Sequence, residues 1–87
     1  MHMKIVWDHP KRLANIAKHH LDFASLTEEF FADALIISAK SGRYRAIGRD
    51  VNGVISVVFA TLGLETISVI SMRPASKEER RLYNAQS

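Results

Sequence analysis

Hydrophobic and polar positions change their period part-way along the chain. In the first third the spacing is helical: Leu13, Ile16, Ala17 and His20 recur at i, i+3, i+4 and i+7, predicting a helix from about His9 to His20 with that stripe buried. Lys4-Ile5-Val6-Trp7 before it reads as a short strand, with Asp8 as N-cap and Pro10 tolerable in the first turn. Ser25-x-x-Glu28 has the form of a capping box and predicts a short helix to about Ala32, docked through Phe23, Phe30 and Phe31. From Ala34 the pattern becomes strand-like: Leu35-Ile36-Ile37, a turn at Ser41-Gly42, then Arg43 to Arg49. Asn52-Gly53 predicts a type I′ hairpin turn, since both residues tolerate positive φ. Val54 to Thr61 is apolar on both faces, which places that strand centrally. Gly63 turns the chain into a strand from Thr66 to Arg73, and a last helix covers Lys77 to about Asn84, opened by a Ser76-x-x-Glu79 capping box. The predicted order is β-α-α-β-β-β-β-α, an α+β fold in which helices flank a small antiparallel sheet.

At 87 residues this reads as a single domain, with Met1-His2 expected to be a cloning remnant ahead of the start at Met3. Hydrophobic content of 47% fits a globular chain. The absence of cysteine rules out disulfides and thiolate zinc sites. No apolar run is long enough to span a bilayer, and the N-terminus lacks the apolar core of a signal peptide, so a cytoplasmic protein without membrane partners is expected. The formal charge is +3, yet Asp22, Glu28, Glu29 and Asp33 crowd four acids into one segment, so the remainder is more basic than that figure suggests. Such a distribution suits an anionic partner such as nucleic acid, or simply a lopsided surface.

The chemistry-bearing residues form three groups. Ser71 and Arg73 leave one face of their strand, and Lys77, Arg80 and Arg81 share a side of the following helix; a guanidinium, a hydroxyl and a basic helix face suit a phosphate. On the first helix Lys11, Asn15, Lys18 and His19 lie opposite the apolar stripe, either as a solvated polar face or as phosphate and 2′-hydroxyl contacts. His19 is the better acid/base candidate, because His20 belongs to the stripe. Arg43 and Arg45 leave one strand face, with Arg49 further along and Tyr44 interleaved; they grip phosphate beside an aromatic or protect an edge strand. Trp7 and Tyr83 could stack on a base or serve the core. Glu79 could act as a base, although the capping box already accounts for it.

Taken together, these segments resemble the BrnT toxin family of bacterial type II toxin–antitoxin modules. The resemblance runs through Trp7-Asp8 with Lys11, Asn15, Lys18 and His19, then Glu28-Glu29-Phe30-Phe31 and Arg43-Tyr44-Arg45-Ala46-Ile47-Gly48. It continues in Val57-Val58-Phe59 and in Ile70-Ser71-x-Arg73-x-Ala75 with Glu79-Arg80 and Tyr83. It implies a RelE-like fold and a cofactor-free, metal-independent endoribonuclease that halts translation. The implied antitoxin is a ribbon-helix-helix protein (BrnA-like), with operator DNA bound only through the complex. In such RNases the RNA 2′-hydroxyl attacks the adjacent phosphate, so the protein moves two protons and stabilises added negative charge. Arg43 and Arg73 carry over as phosphate clamps and Ser71 as a supporting donor, while Arg45 joins because it shares a face with Arg43. His19 is the first acid/base candidate, with Glu79 and Tyr83 behind it; Lys11, Lys18, Lys77, Arg80 and Arg81 would hold the RNA backbone. Many relatives carry a Glu just before the strand arginine, where this chain has Lys40-Ser41-Gly42. The alternative is a non-catalytic module that binds nucleic acid or antitoxin.

Overall fold

The computed structural model describes residues 3–86. Met1-His2, the expected remnant, and Ser87 lie outside them. The elements are β1 (Lys4–Trp7), α1 (His9–His19), α2 (Glu28–Asp33), β2 (Leu35–Ser38), β3 (Tyr44–Asp50), β4 (Gly53–Leu62), β5 (Thr66–Pro74) and α3 (Lys77–Ala85). Short 3-10 turns occupy Phe23–Ser25 and Lys40–Gly42. The predicted order of elements is present, and β4 sits in the centre of a sheet ordered β1-β5-β4-β3-β2. Strands β2 to β5 are antiparallel neighbours. β1 instead adds parallel to β5, with Lys4 opposite Thr66. Hairpins impose antiparallel pairing only on the strands they join, and β1 is joined to the rest through two helices.

Registry divides the sheet into two faces. Ala46, Ile55, Val57, Phe59, Val69 and Met72 are buried on the core face beneath Phe23, Phe30 and Phe31. Phe31 meets Phe30 and Phe59 edge-on at centroid distances of 5.2 and 5.3 Å, a favoured arrangement of ring quadrupoles. Each fully buried Phe contributes about 1.5–3 kcal/mol. The aromatics dock the acidic α2 as predicted. Trp7 joins this core, edge-on to Phe23 at 6.4 Å. Helix α3 packs on β3 from the opposite face, called here the α3 face, where Ile47 is fully buried.

Three local readings are corrected. First, the stripe expected to be buried on α1 is not: Leu13 is 52% exposed, Ala17 is exposed, and His20 is an exposed left-handed C-cap with φ 59°. The buried α1 residue is Asn15, whose Nδ2 donates to the Leu21 carbonyl and whose Oδ1 accepts from the Met72 N–H, both at 3.0 Å. β1 pairs with β5 only as far as Val69, and Asn15 satisfies a β5 backbone donor beyond that point. Second, α2 is capped by Thr27, whose hydroxyl accepts from the Phe30 N–H; Ser25 lies in the preceding 3-10 turn and donates to the Asp22 carbonyl. Third, the β3–β4 turn centres on Val51-Asn52, closed by the Asp50–Gly53 pair. Only Gly53 takes positive φ there, at 101°, so the turn is not type I′.

Candidate active site

The α3 face carries a charged network that four elements build together. β3 contributes Arg45, β4 Ser56, β5 Arg73, and α3 delivers Glu79 from its first turn. Arg73 Nη1 and Nη2 donate to Glu79 Oε1 and Oε2 at 2.8 and 3.0 Å, a bidentate fork. Arg45 Nη1 donates to Ser56 Oγ at 2.6 Å and lies 3.6 Å from Glu79 Oε2, to which Ser56 Oγ in turn donates at 3.3 Å. The capping box predicted at Ser76 is complete, with Glu79 accepting from the Ser76 N–H and donating its own N–H to Ser76 Oγ. Burial pushes the Glu79 carboxyl upward, but bonds from Arg73 and Ser76 and the charges of Arg73 and Arg45 outweigh it and bring the pKa down to about 2. Glu79 is therefore fully ionised at neutral pH and a weak proton acceptor.

Two open cavities flank this network. One, of about 370 Å³, is lined by Ala39, Lys40, Arg43, Arg45 and Val58. The other, of about 250 Å³, lies between α1 and β5 and is lined by Lys11, Ala14, Asn15, Lys18, His19, Ile70 and Ser71. Registry connects them: Arg45, Val58 and Ser71 form one cross-strand row, with Ser56 and Arg73 opposite each other in the next. The side of α1 that sequence assigns to solvent thus forms a cavity wall against β5. His19 is half-buried there, whereas His20 points away as the helix cap. Among the described residues the side chains of Arg43, Lys11, Lys18 and His19 make no ion pair or hydrogen bond, and so are free for a ligand.

Other candidates lie apart. Arg49 and Tyr83 line a separate cavity of about 450 Å³ with Asp50, Glu29 and Asp33. Arg80 donates to the Ala75 carbonyl, Arg81 reaches Glu78 at 3.7 Å, and Lys77 is exposed at the start of α3. β3 is paired on both sides over Tyr44–Ile47, so Arg45 protects no edge, whereas Arg43 precedes the strand and Arg49 lies beyond the end of β2. Tyr44 stacks on Phe59 on the core face, opposite Arg45, so the strand alternation separates this aromatic from the arginines. Ser56 escapes sequence reading. It is 1% exposed, and its only signal is a lone hydroxyl interrupting the apolar run Val54 to Val58.

Residues 7–79 match the family model described as "Ribonuclease toxin, BrnT, of type II toxin-antitoxin system". The chain belongs to the BrnT toxin family. A solved BrnT, the ribonuclease toxin of Brucella abortus, is 53% identical in sequence, with a TM-score of 0.80 over 86% of this chain and 99% of that one. Comparison with curated proteins gives no match. Membership in the BrnT family makes this a ribonuclease toxin whose partner is an antitoxin. The span matched to BrnT contains His19, Arg43, Arg45, Ser56, Ser71, Arg73 and Glu79, and ends before Arg80, Arg81 and Tyr83.

Proposed function

We propose that this toxin cleaves RNA on its α3 face without a metal, by attack of the RNA 2′-hydroxyl on the adjacent phosphate. The observation that carries this reading is the continuous cross-strand row Arg45–Val58–Ser71. It joins a cavity of basic side chains to one holding an imidazole, two lysines and a hydroxyl. The acidic α2 lies against the opposite face, where it does not repel RNA from that surface.

In this mechanism Arg43 and Arg73 hold the scissile phosphate, Arg45 adds a third guanidinium, and Ser71 donates to a non-bridging oxygen. His19 takes the proton of the attacking 2′-hydroxyl and returns one to the 5′-oxygen as the P–O5′ bond breaks, leaving a 2′,3′-cyclic phosphate, with Lys11 and Lys18 on the flanking backbone. Glu79 orients Arg73 and Arg45 instead of accepting a proton, as its low pKa favours. Tyr83, Lys77, Arg80 and Arg81 would contact RNA only outside the two cavities. The antitoxin is of the ribbon-helix-helix class, neutralises the toxin in the cytoplasm, and brings operator DNA to the complex. Among the described residues no helix is long and apolar enough to cross a membrane.

The test uses antitoxin-free protein and end-labelled RNA in EDTA, beside Arg73→Ala and Arg43→Ala. Fragments ending in 2′,3′-cyclic phosphate are expected, reduced roughly 100–1,000-fold by either variant with a native melting curve. Cleavage abolished by EDTA and restored by a divalent metal would refute the mechanism.

A further inference from the structure

The outer strand β2 is short, apolar and unpaired on one side. It is the last strand of the sheet, and Ile36 and Ile37 are 43% and 37% exposed. Its backbone groups can be assigned to sides. The Ala39 N–H donates inward to the Arg43 carbonyl at 2.9 Å, so by alternation the N–H groups of Leu35 and Ile37 also face β3. Those of Ile36 and Ser38 face outward and, among the described residues, pair with no strand.

The two sides of this edge differ in chemistry. On the core face Ile36 borders an open cavity of about 230 Å³ lined by Phe31, Phe59, Leu64 and Ile67, with Leu64 fully exposed. On the α3 face Ile37 stands opposite Arg45, beside the cavity of Lys40 and Arg43. We propose that the antitoxin docks here by adding an extended segment to β2, placing an apolar side chain in the Phe31–Leu64 cavity and, one residue away, a carboxylate against Lys40, Arg43 and Arg45. The strand period requires that alternation, since neighbouring residues fall on opposite faces. A second copy of this chain is the poorer occupant. Pairing β2 with itself would bring two such clusters together on chains that each carry +3, whereas an acidic segment is drawn to them. This docking rests on the proposed role of Arg43 and Arg45 only in explaining why it inhibits: the carboxylate occupies the cations that RNA needs.

The test compares amide hydrogen exchange of the toxin alone with that of the toxin co-purified with its antitoxin. Outward amides of Ile36 and Ser38 should become protected at least tenfold in the complex. Ser38→Pro removes one outward donor and no inward one, as an edge strand tolerates. It should weaken antitoxin binding at least tenfold while leaving RNA cleavage unchanged, so failure of the docking site is distinguishable from failure of the nuclease reading. Unchanged exchange at both amides in a formed complex would overturn the proposal, as would full antitoxin affinity in a folded Ser38→Pro chain. Protection of the same amides in the free toxin by concentration-dependent dimers would assign the edge to a second copy instead.

Discussion

Removing Asn15 should destabilise the domain more than removing any other polar side chain of α1. Its amide spans two elements, donating to the Leu21 carbonyl just past α1 and accepting from the Met72 N–H on β5. Met72 is fully buried and Leu21 nearly so, so neither orphaned group gains free access to water in Asn15→Ala. Each buried unsatisfied group costs roughly 1–3 kcal/mol, and partial solvation of the exposed helix end reduces the sum to about 2–4 kcal/mol. A domain of this size has on the order of 5 kcal/mol in total, so much of its stability is at stake. Asn15→Asp keeps the acceptor for Met72 but sets a carboxylate oxygen against the Leu21 carbonyl and buries a charge, so it should cost at least as much as Ala. Urea unfolding followed by fluorescence of Trp7 measures both, with an unchanged m-value and a lower midpoint expected. The melting temperature of Asn15→Ala should fall by about 4–8 °C for each kcal/mol. A loss under about 0.5 kcal/mol, the ordinary range for surface substitutions, would show that the bridge does not hold α1 to the sheet.

Two further outcomes follow from the packing. Glu79 has an ordinary pKa of 4.5 when unfolded and about 2 when folded, so its contribution is complete above pH 5 and lost as pH falls toward 2. The difference is worth roughly 3 kcal/mol, and Glu79→Gln should flatten that acid limb in pH-dependent unfolding; an unchanged limb would refute the assignment. At Gly48 an added Cβ would meet Phe30 Cε1 at 2.9 Å and the Ala34 Cβ at 3.2 Å. Gly48→Ala should therefore cost about 1–3 kcal/mol in denaturant, and a neutral result would mean that α2 shifts freely.

Local signals were legible where they did not compete. The Phe-rich helix, the central two-sided strand and the Ser76 capping box follow from residue type and spacing alone. The face of α1 did not, because the apolar stripe of Leu13, Ala17 and His20 points outward while Asn15 is buried by two backbone partners remote in sequence. Thr27 displaced Ser25 as cap because both precede an equally suitable first turn. Parallel pairing of β1 leaves no local trace. In the site, the candidates on Arg43, Arg73, Ser71, His19 and Glu79 were visible as single residues, but only registry brings Arg45, Ser56 and Glu79 together. The same registry sends Arg49 and Tyr83 to another cavity.

Parallel pairing of the first strand with the last has a consequence for biosynthesis. β1 finds its neighbour, and α1 its wall of Ile70 and Ser71, only after nearly the whole chain has been made. The lysines and histidine of α1 thus cannot meet Ser71 or Arg73 on a growing polypeptide. Closing the sheet demands the most non-local contact in the fold, which also makes it a slow step. The site proposed for RNA cleavage is thereby unassembled until β5 has been made, and truncated products that end before β5 would carry the cationic residues of α1 without the wall they face.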